Sequence, residues 1–194
     1  MARELGFYKE LNRYDLLLDA GHITKAECLR SQYALFRGYS AQQLLRMLRK
    51  TPRLKWIRRA VERFKSHGLS VIILSDNPTF VSGFFKSFGF DETLGSMAII
   101  RNGILTGKTV VEADKLPTLR RYCRSQRLSL SECIHVGDWE NDIPVFRAVG
   151  LSVALNPRHS SVARTAKLVI GTKSLLEVYR RVHPFLREPH GPEH

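Results

Sequence analysis

Two short stretches and one lysine hold residue types that can do chemistry. Gly137-Asp138-Trp139-Glu140-Asn141-Asp142 follows the apolar run Cys133 to Val136, and puts Asp138 and Asp142 about one helical turn apart. Hard oxygen ligands gathered where a strand gives way to a helix suit Mg²⁺, which takes one or two carboxylates and shares the rest of its shell with water and substrate phosphate. Ser75-Asp76-Asn77 ends a second apolar run just before Pro78. A hydroxyl and free backbone N–H groups at a helix start can hold a phosphate there. Lys115 stands at another helix start, where the dipole favours acids, with Glu112 and Asp114 close by. Each also has an ordinary structural reading. Asp138 or Asn141 can be a helix cap, Asp142 a first-turn acid, Ser75 or Asp76 an N-cap, and Lys115 a solvated surface residue.

These residues need elements to position them. The first 65 residues read as helices over Glu4 to Leu18, Lys25 to Phe36, Ala41 to Arg49 and Arg53 to Lys65, the last with apolar residues at helical spacing, Pro52 at its start and Gly68 after its end. From Ser70 the pattern changes. Short β-branched runs at 70–74, 133–136, 152–155 and 168–170 alternate with helical stretches at 79–88, 112–127, 139–149, 160–166 and 173–182. Asn102-Gly103 marks a hairpin between Ala98 to Ile100 and Ile104-Leu105. Strand–helix alternation predicts an α/β fold with a parallel sheet, in which ligands bind beyond the carboxyl ends of the strands. Those ends are where Ser75 and Asp138 fall.

The composition narrows the classes. A chain of 194 residues with 43% hydrophobic and 25% charged residues makes one globular domain, or a core with a small insertion. Its apolar runs are too short to span a bilayer and its start lacks a signal-peptide core, so a cytoplasmic protein without membrane contact is expected. Cys28, Cys123 and Cys133 have no C-x-x-C spacing and read as packing residues. A net charge of +13 favours anionic partners, yet no nucleic-acid motif accompanies the basic stretch Arg46 to Lys65.

The order of Ser75, Lys115 and then Gly-Asp-x-x-Asn-Asp, with these intervals, resembles the haloacid dehalogenase (HAD) superfamily of phosphohydrolases, in its phosphoserine-phosphatase-like branch. Asn156-Pro157 resembles the family's ending, and the likeness covers roughly residues 20–182. It implies a Rossmann-like three-layer core with a helical cap. It also implies Mg²⁺-dependent hydrolysis of a small phosphomonoester through an aspartyl-phosphate. Ser75 and Lys115 would bind the transferring phosphoryl group, Asp76, Asn77 and Asn141 would share that pocket, and Asp138 and Asp142 would hold Mg²⁺.

One family motif is missing: no Asp-x-Asp occurs in the sequence, so neither the attacking carboxylate nor the general acid/base is supplied. Leu16-Leu17-Leu18-Asp19 imitates its strand, but Gly21 stands where the second carboxylate belongs. The alignment adopted makes residues 1–51 the cap segment, 52–183 a core without the motif-one strand and 184–194 a frayed tail. The chain is then expected to be inactive alone, its nucleophile lying in a longer protein, with unpaired strand edges open to self-association. The alternatives are a complete non-catalytic relative used for binding, and a basic nucleic-acid-binding protein. The same alignment puts Gln32 where the branch clamps a substrate carboxylate with Arg, which disfavours phosphoserine unless Arg30 substitutes.

Overall fold

The computed structural model describes residues 2–112 and 114–186. The chain divides into two compact units. One comprises Met1–Pro52, Leu74–Phe85 and Thr93–Ala113, the other Arg53–Ile73, Lys86–Glu92 and Asp114–His194.

In the first unit, helices α1 (Tyr8–Asp19), α2 (Lys25–Ala34) and α3 (Ala41–Lys50) follow one another. α2 starts on a capping box, with Thr24 and Glu27 each accepting the other's backbone N–H. Gln32 on α2 donates to Asp15 Oδ1 at 2.6 Å and to the Leu11 carbonyl at 3.3 Å, which ties α2 to α1. Cys28, Leu29, Tyr33 and Leu44 are buried, and so is Leu105 of the hairpin. That hairpin pairs β3 (Met97–Arg101) antiparallel with β4 (Ile104–Val110). Its turn residues Asn102 and Gly103 both have positive φ, as a two-residue turn of this twist requires. Residues 16–19, the imitation of a nucleophile strand, are helical within α1.

The second unit is built around the parallel sheet β5 (Ile134–Gly137), β6 (Leu151–Leu155) and β7 (Leu168–Ile170), in that order. β6 is central and its first four residues are buried, the pattern of a strand covered on both faces. Leu151 and Val153 pack with Val178 and Val182 of α9 (Leu175–Val182), and with Phe64 of α4 (Ile57–Lys65). Ala154 packs oppositely with Phe146 of α7 (Ile143–Phe146) and Val162 of α8 (Ser160–Thr165). α6 (Lys115–Ser125) also belongs here.

Several elements differ from expectation. The helix over Arg53 to Lys65 begins at Ile57, because Lys55 bridges instead to the loop before α9, through Lys55 N to Lys173 O at 2.7 Å. The helix over 79–88 is α5 (Thr79–Ser82) followed by a 3₁₀ segment, Gly83–Phe88. The helix over 139–149 is a 3₁₀ turn, Glu140–Asp142, then α7. A strand that the sequence did not suggest, β2 (Glu92–Gly95), pairs with β1 (Ile72–Ser75). Of the expected tail, residues 187–194 lie outside the described residues.

Candidate functional site

Asp142 is the most heavily bonded side chain among the candidates. It is 1% exposed, and its Oδ1 accepts from Lys115 Nζ at 2.7 Å and lies 2.7 Å from His135 Nε2. Its Oδ2 accepts the backbone N–H groups of Asp138 at 3.1 Å and Trp139 at 3.2 Å. With His135 donating, both oxygens carry two hydrogen bonds, the full capacity of a carboxylate. Burial alone would raise its pKa, but the His135 hydrogen bond and the Lys115 charge outweigh it and hold the carboxyl well below the usual range. The carboxylate is therefore ionised and anchors Lys115, whose Nζ also reaches Asn141 Oδ1 at 3.4 Å.

Local structure makes this possible. β5 ends at Gly137, and a methyl group there would run into the Asp142 carboxylate, with Asp142 Cβ only 2.7 Å away. The 3₁₀ turn over 140–142 brings Asp142 back beneath the two N–H groups that follow the strand. Lys115 is the first residue of α6, with Asp114 at its N-cap. Asp138 points outward: its side chain is 54% exposed, with Arg158 Nε 3.7 Å from Oδ2.

The other candidates lie in the first unit. Ser75 Oγ accepts from the Asn77 N–H and from Asn77 Nδ2, both at 3.2 Å. Asp76 pairs with Lys25 Nζ at 3.0 Å, and its carbonyl accepts from Tyr33 Oη. Gly95 of β2, at φ +152°, leaves room for the Ser75 carbonyl that any side chain would strike. A shallow groove of about 520 Å³ lined by Arg37, Arg101 and Lys108 in the same unit holds none of the candidates.

Lys115, Asn141 and Asp142 thus come together, with Asp138 joined to them through its backbone. Sequence reading missed His135. The available signal was a polar residue inside an apolar strand, since a buried imidazole demands a partner. Asn156 has a scaffolding role: its side chain bonds Thr172 O at 2.8 Å and Thr172 N at 2.9 Å, joining the loops beyond β6 and β7.

The donors near Asp138 bear on Mg²⁺ binding. Among the described residues no group of three or more His, Cys, Asp or Glu side chains forms a ready-made metal cage. Mg²⁺ does not require one, because it keeps several waters and uses one or two carboxylates. Asp138, exposed at a strand's carboxyl end, fits as a direct ligand, while Asp142 is saturated by protein donors and fits as the buried charge behind it.

The chain is similar to known proteins. Residues 2–147 match the family model described as haloacid dehalogenase-like hydrolase. The chain belongs to that family. A phosphoserine phosphatase of Albidiferax ferrireducens is 31% identical over 176 residues, covering 82% of this chain and 73% of the relative, which puts the chain in the phosphoserine-phosphatase-like branch. One from Methanocaldococcus jannaschii is 21% identical over 187 residues, covering 94% and 88%. Among solved structures, a phospho-aspartyl intermediate analogue of phosphoserine phosphatase superposes with a TM-score of 0.76 at 20% identity, covering 96% of this chain and 89% of that one. The HAD-like α/β fold, with its parallel strands, is thereby established. The chain is of a phosphoester-hydrolysing family, and the nucleic-acid and purely binding alternatives draw no support from these relatives. No helix among the described residues is long and apolar enough to cross a membrane.

Proposed function

We propose that this HAD-family chain is built for Mg²⁺-dependent hydrolysis of a small phosphomonoester through an aspartyl-phosphate, and that its 194 residues do not turn over unaided. The observation that supports it best is the buried Lys115–Asp142–His135 cluster behind Asp138. Asp142 fixes the Lys115 ammonium, which neutralises and orients a phosphoryl oxygen. By the family resemblance, the Ser75 hydroxyl, the Asp76 backbone and the Asn77 and Asn141 amides would supply further hydrogen bonds to the phosphoryl group. Asp138 would hold Mg²⁺, which when bound would polarise the phosphoryl group. Attack on phosphorus has no residue to perform it, because no Asp-x-Asp is present. Among the described residues β5 has a ladder partner on one side only, β6. That open edge is where a strand bearing the nucleophile would add, or a second copy of the chain would pair.

The reading keeps residues 1–51 as the cap segment, 52–183 as the core, and a cytoplasmic location. It takes a small phosphate ester as substrate and disfavours phosphoserine unless Arg30 substitutes, because Gln32 is turned onto α1 and Lys25 is held by Asp76.

The test is an aryl-phosphate assay with Mg²⁺, on the chain alone and with a peptide carrying an apolar strand that ends in Asp-x-Asp. No turnover is expected alone, and measurable turnover with the peptide. Robust activity of the chain alone that Asp19→Asn abolishes would overturn the reading.

A further inference from the structure

Cys123 and Cys133 were expected to serve only as packing, and the phosphate chemistry uses neither. Their sulfur atoms lie 3.5 Å apart across ten positions of chain. Cys123 occupies the last turn of α6, and Cys133 is the extended residue just before β5. A disulfide needs its sulfurs near 2.05 Å, so the pair must close by about 1.5 Å. Side-chain rotation with a small shift in the intervening turn, 126–132, can supply that. Cys28 is different: it lies in the other unit, where its thiol meets the Asp15 carboxylate at 3.9 Å.

We propose that Cys123 and Cys133 form a redox modification site, closed to an intramolecular disulfide by a hydroperoxide. Cys133 is the less buried of the two and reacts first. Its sulfur, giving up its proton, attacks a peroxide oxygen; the O–O bond breaks, and the departing oxygen takes a proton and leaves as water or an alcohol. The sulfenic acid left on Cys133 is then attacked by the Cys123 sulfur. The S–O bond breaks, water leaves with the second thiol's proton, and the S–S bond forms. Two thiols have lost two electrons and two protons, and one peroxide has been reduced. Burial, reinforced by the neighbouring Cys123, pushes the Cys133 thiol up to about 12. Thiolate is therefore scarce, and the pair answers sustained oxidation rather than a brief pulse.

The crosslink has a defined mechanical effect. α6 carries Lys115 at its first residue and Cys123 in its last turn, while β5 starts just after Cys133 and ends just before Asp138. A disulfide would fasten the far ends of the two elements whose near ends are already joined through Lys115 and Asp142.

The experiment treats the purified full chain with excess hydrogen peroxide, blocks remaining thiols after denaturation, and maps peptides without reduction. Expected are a Cys123–Cys133 linked peptide pair, a mass loss of about 2 Da, and Cys28 still open to alkylation. The melting temperature should rise by about 5 °C and return on reduction. Cys133→Ser should lose both the link and the shift, and Cys123→Ser is the second variant should the first fail to fold. Overoxidation of Cys133 without a crosslink, disulfides only between chains, or two unreacted thiols would each overturn the proposal. So would a crosslinked chain that melts lower, because the native geometry would then not accommodate the bond.

Discussion

The two groups of candidate residues are built in opposite ways. Around Asp142 a buried carboxylate is met by an ammonium, an imidazole and two backbone N–H groups, and every partner comes from α6, β5 or the turn after β5. Around Ser75 the hydroxyl takes, among the described residues, only two contacts, both from the residue two places on, beside a partly buried ion pair between Lys25 and Asp76. The first arrangement fixes geometry at high energetic stake, since removing one buried charge strands the others. The second can rearrange around a ligand, because the Asn77 amide and the Ser75 hydroxyl can exchange each other for a phosphate oxygen at little cost.

That contrast can be broken by mutation. The largest effect is expected for Asp142→Ala, which leaves Lys115 and His135 without their shared partner and should cost about 3–5 kcal/mol by chemical denaturation. Gly137→Ala adds a methyl group against that carboxylate and should cost about 1–3 kcal/mol, with Lys115 displaced. Ser75→Ala should change stability by less than about 1 kcal/mol, yet weaken inorganic phosphate binding by about tenfold in calorimetry. Equal stability losses at Ser75 and Asp142 would erase the distinction drawn here.

The smallest expected effect lies away from both groups, at Asp91. Burial raises its pKa, but Lys65, the Val71 N–H and the Ser70 hydroxyl together outweigh this and hold the carboxyl below its ordinary value. A depressed pKa contributes stability above the ordinary value of about 4, and that contribution is lost as pH falls through the folded one. Asp91→Asn should therefore be less stable than the parent by at most about 1 kcal/mol at neutral pH, with the difference vanishing in acid. A difference that grows on acidification would reverse the assignment.

What was legible in the sequence follows the same division between local and distant causes. Lys115 and Gly-Asp-x-x-Asn-Asp could be read because their spacing is a property of the chain itself. The Asn102-Gly103 hairpin could be read because turn chemistry is local. β2 could not, since Glu92 to Gly95 is four residues long with no alternation, and it is a strand only because β1 lies beside it. The late start of α4 at Ile57 has a similar origin in a bridge to the loop before α9. His135 and the Cys123–Cys133 contact were hidden because each becomes meaningful only when α6 or α7 is laid against β5.

The fit of Gly137 against Asp142 also bears on how such a sequence changes over generations. Because no side chain fits at 137 and no other residue satisfies four donors as Asp142 does, purifying selection on folding alone would keep both letters, whether or not the reaction is under selection. Packing makes no such demand at Asp138, which faces solvent, or on the Ser75 hydroxyl. In descendants of this chain those two positions would be the first to drift once hydrolysis ceased to matter, so their identities carry the record of the chemistry.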